Sequence, residues 1–173
     1  CISSAASDVY KRQPVERAVS AKTGREFHLG HLDVDLGRIV TVRGEQLSLG
    51  NAAWSKRGPM AQMRSAEIDV EFWPLLRGKV RLPEIRLAHA KAVLEAGDDT
   101  HPGNWVFETS GGDGTLPRLG RLLVQDGRLQ YIDAANKSDV DVAINSLAPP
   151  RSDQRAAPIG IDGKGRWKAY PFT

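Results

Sequence analysis

The stretch from Glu67 to Glu95 constrains the fold more than any other part of the chain. Apolar and polar residues alternate on both sides of a corner at Trp73-Pro74-Leu75-Leu76-Arg77-Gly78. The apolar positions of this stretch are Ile68, Val70, Phe72, Val80, Leu82, Ile85 and Leu87. Alternation with a period of two predicts strands with one apolar face and one wet face.

The same alternation continues towards the C-terminus, so we predict a mainly β fold. Its apolar positions there are Leu122, Val124, Leu129, Tyr131, Val140, Val142 and Ile144. Asp126-Gly127 lies between two alternating segments and predicts a two-residue hairpin turn. We expect a curved antiparallel meander of roughly eight to ten strands with one short N-terminal helix from Pro14 to Lys22, ended by Gly24.

The two ends of the chain receive separate predictions. Residues 1–13 resemble a peptide encoded by read-through of a sequencing adapter, so we predict an adapter-derived or disordered tail and leave it out of the fold. A natural flexible terminus is the alternative. Residues 14–173 are predicted to form one β-rich domain that is truncated at both ends.

The composition and motifs argue against an enzymatic site and against nucleic-acid binding. Basic residues are interspersed with acidic ones and the net charge is only +3, which favours a solvated surface over a nucleic-acid interface. The one cysteine, Cys1, allows no disulfide framework, and no long apolar run predicts a membrane-spanning helix. The pairs Asp33/Asp35 and His28/His31 do not form a convincing ligand set, and no nucleophile motif is present. We therefore predict no enzyme, no catalytic residue, no metal and no cofactor.

Two tryptophans offer alternative interpretations. Trp73 and Trp105 could stack on a ligand, but their neighbours Pro74-Leu75-Leu76 and Val106-Phe107 favour caps on the end of a core.

Five short motifs together resemble the N-terminal region of the AsmA family of Gram-negative envelope proteins. In chain order they are Thr23-Gly24-Arg25, Leu47-Ser48-Leu49-Gly50-Asn51, Trp73-Pro74-Leu75-Leu76-Arg77-Gly78, Gly103-Asn104-Trp105 and the segment from Leu122 to Asp133. The resemblance implies a domain in the periplasm, anchored in the inner membrane by a spanning helix that this chain lacks. It also implies a likeness to bridge-like lipid-transfer proteins and a role in phospholipid movement and outer-membrane homeostasis.

The leading functional hypothesis is a non-enzymatic lipid-handling module, because an apolar sheet face must be covered either by a second layer or by lipid. The expected partners are phospholipid acyl chains, the inner membrane and further envelope proteins. The predicted groove residues are Ile68, Val70, Phe72, Val80, Leu82, Ile85, Leu87, Leu122, Val124, Val140, Val142 and Ile144. The alternative is a structural scaffold that affects outer-membrane protein assembly, in which the same side chains form a closed two-layer core.

Overall fold

The structure is a computed structural model that describes residues 3–77, 81–107, 118–146 and 159–172. These residues contain two helices and eleven strands, and the strands all belong to one open sheet. In chain order the elements are α1 (Ser3–Thr23), β1 (Phe27–His28), β2 (His31–Asp35), β3 (Ile39–Leu49), β4 (Ala61–Glu71), α2 (Phe72–Leu75), β5 (Arg81–Ala88), β6 (Lys91–Glu95), β7 (Arg118–Gln125), β8 (Gly127–Asp133), β9 (Ser138–Ser146), β10 (Ile159–Trp167) and β11 (Tyr170–Phe172). The mainly β prediction is confirmed.

The eleven segments combine into eight long strands that lie side by side in chain order. Three of these strands are interrupted, and each consists of two segments: β1/β2, β5/β6 and β7/β8. The two segments of each pair along the same neighbouring strand, and the register does not change between them. Neighbouring strands are antiparallel, as predicted, except where β5/β6 runs parallel to β7/β8. The sheet is therefore mixed, with a meander on each side of the parallel pair.

The predicted hairpin at Asp126-Gly127 is wrong. Asp126 has a left-handed backbone (φ 51°), as a hairpin turn requires, but the chain continues in the same direction from β7 into β8. The register shows this directly, because β7 is parallel to β5 and β8 is parallel to the next segment, β6. The left-handed residue produces an interruption in one long strand.

Strand interruptions and left-handed residues lie along a single line across four of the long strands. Gly30 separates β1 from β2, His89 separates β5 from β6 (φ 51°), and Asp126 separates β7 from β8, while Gln46 has φ 53° inside β3. The registers place Gly30 opposite Gln46, and His89 opposite Asp126. A Cβ atom on Gly30 would approach the Gln46 Cβ to 2.9 Å, so this crossing requires glycine.

Apolar side chains stay on one face of the sheet across this line, although they change there from even to odd sequence positions or the reverse. In regular alternation, residues three apart lie on opposite faces. Yet a Cβ atom on Gly44 would lie 3.3 Å from a Leu47 methyl, and one on Gly127 would lie 2.5 Å from a Val124 methyl. The left-handed residues between them therefore return the apolar side chains to the same face.

Helix α1 is longer than predicted and lies at the edge of the sheet. It begins at Ser3 and ends at Thr23, where Gly24 takes the predicted left-handed conformation (φ 64°). It contacts β1 and β2 through polar groups: Arg12 donates to the Leu29 carbonyl, and Glu16 Oε1 accepts the Leu29 N–H at 2.9 Å. No helix in the described part of the chain combines the length and the apolarity needed to cross a membrane.

Candidate functional site

A row of apolar side chains crosses five of the long strands on one face of the sheet. The ladders place its members opposite one another from β2 to β7, and they are Val34, Val42, Ile68, Ile85 and Leu122. At about 4.8 Å between strands, the row extends about 20 Å across the sheet. Each member keeps part of its surface accessible to solvent, and Val34 is 37% exposed.

The next row along the strands is more buried and contains smaller side chains. It consists of Leu32, Gly44, Ala66, Leu87 and Val124, which are also ladder partners from strand to strand. Leu32, Ala66 and Val124 are buried, and the small residues Gly44 and Ala66 occupy the middle strands. Gly44 is covered by its neighbours, since a Cβ atom there would lie 3.0 Å from a Leu29 methyl and 3.3 Å from a Leu47 methyl.

The apolar face continues on the other side of the parallel strand pair. Val140 and Val142 of β9 lie opposite Tyr131 and Leu129 of β8, and Ile144 lies opposite Gly127. Their ladder partners on the other side are Gly165, Gly163 and Ile161 of β10, so two of the three positions on β10 carry no side chain. Ile161 is 66% exposed, which leaves this end of the face accessible to solvent.

The structure brings most of the predicted groove residues together on this face. Phe72 is separate from them, because it begins the α2 turn and packs edge-to-face on Trp73 at a centroid distance of 5.8 Å. Leu82 lies two residues before Glu84, whose carboxylate belongs to the opposite face, and the β5–β7 ladder adds no residue between them. Regular alternation therefore does not place Leu82 with the apolar row. Val80 lies outside the described residues.

No second sheet lies over the apolar face in the described part of the chain. All described strands belong to the one open sheet, and α1 packs against its β1/β2 edge. The closed two-layer core of the alternative prediction is therefore absent from these residues.

The opposite face carries a ladder of alternating charges that extends over the same strands. Arg43 Nε donates to Glu67 at 2.8 Å, Arg86 bridges Glu67 and Glu84, and Arg121 reaches Glu84 at 2.9 Å. The hydrogen bond from Arg43 lowers the pKa of Glu67, and the same pair raises the pKa of Arg43. Since every charge in this ladder has an opposite neighbour, the face is well matched to water and ill matched to an acyl chain.

A second ion pair extends the polar face beyond the parallel strands. Arg128 Nε and the Arg128 terminal nitrogen both bond Asp141, at 2.9 Å and 2.6 Å, in a bidentate arrangement. This contact lowers the pKa of Asp141. The two faces of the sheet thus differ in character from β2 to β9.

Three of the family-like motifs meet around one buried amide at the end of the sheet. The Asn104 side chain is completely buried; its Oδ1 accepts the Glu95 N–H at 2.9 Å, and its Nδ2 donates to Asn51 Oδ1 and to the Val93 carbonyl, both at 2.9 Å. Arg25 donates to the Asn104 carbonyl at 3.2 Å. Sequence reasoning did not identify this cluster, because its two asparagines lie far apart in the chain.

The prediction that both tryptophans cap a core is wrong. Trp73 is 61% exposed and Trp105 is 39% exposed. Trp73 lies on the α2 corner with exposed Leu76, beside the β2–β3 turn that exposes Leu36 and Ile39.

The described residues hold no candidate metal site. They contain no group of three or more histidine, cysteine or acidic side chains that could hold a metal ion. Asp33, of the carboxylate pair noted in the sequence, lies 3.6 Å from Arg43, and Asp69 of β4 accepts a hydrogen bond from the Thr41 hydroxyl at 2.8 Å.

Comparison with known proteins identifies the family. No curated protein and no solved structure matches the chain. The model of the AsmA family matches residues 10–172, which is nearly the whole chain and begins within α1. The protein therefore belongs to the AsmA family, a family associated with the bacterial envelope.

Proposed function

We propose that this chain is a non-enzymatic lipid-handling module of a Gram-negative envelope protein that supports phospholipid transport and outer-membrane homeostasis. The observation that carries the proposal is the partly exposed apolar row across five strands of an open sheet. In this proposal the row holds acyl chains, with the domain in the periplasm of an inner-membrane-anchored protein.

Apolar contact is the source of free energy in this proposal. Burying one methylene contributes about 0.8 kcal/mol, so about ten acyl methylenes on the row contribute at most about 8 kcal/mol before the cost of ordering the chain. No polar recognition group is required for contact of this kind.

Two adjacent leucines provide a matched test. Leu122 lies opposite Ile85 in the apolar row, whereas Leu123 lies opposite Arg86 of the charge ladder. In native mass spectrometry of protein purified from bacterial cells, we expect phospholipid adducts on the wild type and on Leu123→Asp, and their loss in Leu122→Asp. A folded wild type that carries no lipid contradicts the proposal, as does equal lipid loss in both variants.

The scaffold alternative retains one supporting observation, the exposed apolar residues at the α2 corner. Leu36, Trp73 and Leu76 are each more than half exposed, as expected for a contact with another protein. If the wild type carries no lipid and Trp73→Ser abolishes co-purification of an envelope protein, the scaffold is the better account.

A further inference from the structure

Two turns meet at the end of the sheet where β8 and β10 finish. The β10–β11 loop consists of Lys168 and Ala169, and the β8–β9 turn ends at Lys137. The Ala169 N–H donates to the Lys137 carbonyl at 3.2 Å, and the Lys168 N–H donates to Ser138 Oγ at 2.9 Å. These bonds fix the tip of one hairpin against the tip of the other.

Aromatic rings form a line beside these two tips. Trp105 lies 6.1 Å from Tyr131 between ring centroids, and Tyr131 lies 6.3 Å from Trp167. An apolar hollow of about 590 Å³ opens next to them, lined by Tyr131, Val140, Trp167 and Phe172. Gly165 lies between Val140 and Phe172 in the ladder.

Large apolar side chains at this end are exposed to water. Tyr170 is 78% exposed and its ladder partner Trp167 is 53% exposed. We call this surface the aromatic rim; its apolar members are Trp105, Val106, Trp167, Tyr170 and Phe172. Tryptophan and tyrosine combine an apolar ring with a polar group, which suits them to the headgroup level of a bilayer.

The exposed charges at the two hairpin tips of the aromatic rim are positive. Lys137, Arg166 and Lys168 are exposed, and neither lysine forms an ion pair with another described residue. Two carboxylates nearby keep their negative charge but are less exposed: Asp133 is buried and accepts two hydrogen bonds from Asn136, and Asp139 is partly buried and accepts one from the Gln130 amide. The rim therefore offers cations beside apolar rings, which complements anionic headgroups above acyl chains.

We propose that the aromatic rim docks on an anionic phospholipid surface, with Lys137 and Lys168 at the headgroups and Trp167 and Tyr170 in the interface. The hollow beside Trp167 is continuous with the apolar face through Tyr131 and Val140, so it is the point where an acyl chain enters. The entry step rests on the proposed lipid-handling function, whereas docking of the rim does not.

Vesicle co-sedimentation tests the docking. We expect the wild type to bind vesicles of equal parts phosphatidylethanolamine and phosphatidylglycerol more tightly than vesicles of phosphatidylcholine. Replacing Lys137 and Lys168 by glutamine should weaken this binding about fivefold for each lysine. Trp167→Ser with Tyr170→Ser should weaken binding to the anionic vesicles by about tenfold or more, with the fold verified by thermal unfolding.

Two control variants separate binding through the rim from binding through other apolar surfaces of the protein. Leu36→Ser with Trp73→Ser removes exposed apolar surface at the opposite end of the strands and should leave vesicle binding unchanged. Leu122→Asp should lose co-purified lipid and still bind vesicles, which distinguishes failure of the rim from failure of the apolar face.

Three results would overturn the proposal. They are equal binding to both kinds of vesicle, loss of binding in the Leu36/Trp73 variant alone, and self-association that depends on Trp167 without any vesicle binding.

Discussion

We expect the buried amide of Asn104 to be the most sensitive single position outside the apolar face. Replacing Asn104 by leucine preserves the approximate volume but removes three side-chain hydrogen bonds. The Glu95 N–H and the Val93 carbonyl then lose their partner in a site closed to water. Asn51 Oδ1 is less affected, because it also accepts the Ala52 N–H at 2.8 Å.

The size of the effect follows from the two backbone groups left without a partner. Each buried unsatisfied group costs about 1–3 kcal/mol, so we expect Asn104→Leu to lower the free energy of unfolding by about 4 kcal/mol. For a domain stabilised by about 5–15 kcal/mol in total, this loss is large. Urea unfolding followed by tryptophan fluorescence measures it, and the midpoint should fall without a change in slope.

A matched control and a second variant make the test specific. Asn145 also accepts a backbone N–H, from Asp126 at 2.7 Å, but it is exposed, so Asn145→Leu should cost less than about 1 kcal/mol. Asn104→Asp keeps the acceptor for Glu95 and places a carboxylate beside two other acceptors, which raises the pKa of the new group. Its stability relative to the wild type should therefore be greater at pH 4 than at pH 7.

A loss below about 1 kcal/mol for Asn104→Leu would refute the reasoning. So would an Asn104→Asp variant whose stability relative to the wild type does not change with pH.

Three further predictions concern the sheet. The pKa of Glu67 is lowered by its arginine partner, so the ionised Glu67 stabilises the fold above its ordinary pKa of 4.5, and this stabilisation is lost as the pH falls through the lowered folded-state pKa. Glu67→Gln should therefore reduce the loss of unfolding free energy measured between pH 6 and pH 2. Ala169 has φ 70° in a two-residue loop, so Ala169→Gly should stabilise by about 1 kcal/mol in thermal unfolding, and a lower melting temperature would contradict this. A Cβ atom on Gly127 would lie 2.5 Å from a Val124 methyl, so Gly127→Ala should cost about 1–3 kcal/mol, whereas Gly58→Ala, with open space around it, should be neutral.

The strands and the composition of their faces were predictable from sequence because alternation is a local signal. Ile68, Ile85 and Leu122 each stand in an alternating segment, and side-chain parity alone assigns them to the apolar face. The ladders then place them opposite one another, which no local pattern specifies.

The incorrect hairpin prediction at Asp126-Gly127 has a physical cause. A hairpin turn and a strand interruption both use a left-handed residue, and aspartate tolerates that conformation in either setting. The choice depends on the neighbouring strand, where His89 has the same conformation directly opposite. Sequence shows the local preference but not the pairing that decides its outcome.

The tryptophans and the Asn51–Asn104 contact were missed for a related reason. Whether Trp73 is covered depends on which elements lie over the α2 corner, and burial of Asn104 depends on Asn51, which is 53 residues away in the chain. The residues next to Trp73 or Asn104 in the sequence therefore do not predict whether these side chains are buried.

The most direct test of the central claim is to ask which molecule touches the apolar face. A photo-crosslinking amino acid replaces Leu122 in one variant and Leu123 in the other, so the two probes differ only in the face of the sheet that they occupy. After irradiation in bacterial cells and mass analysis, we predict phospholipid adducts from position 122 and none from position 123. Adducts only with protein at position 122, or equal lipid adducts at both positions, would contradict the account.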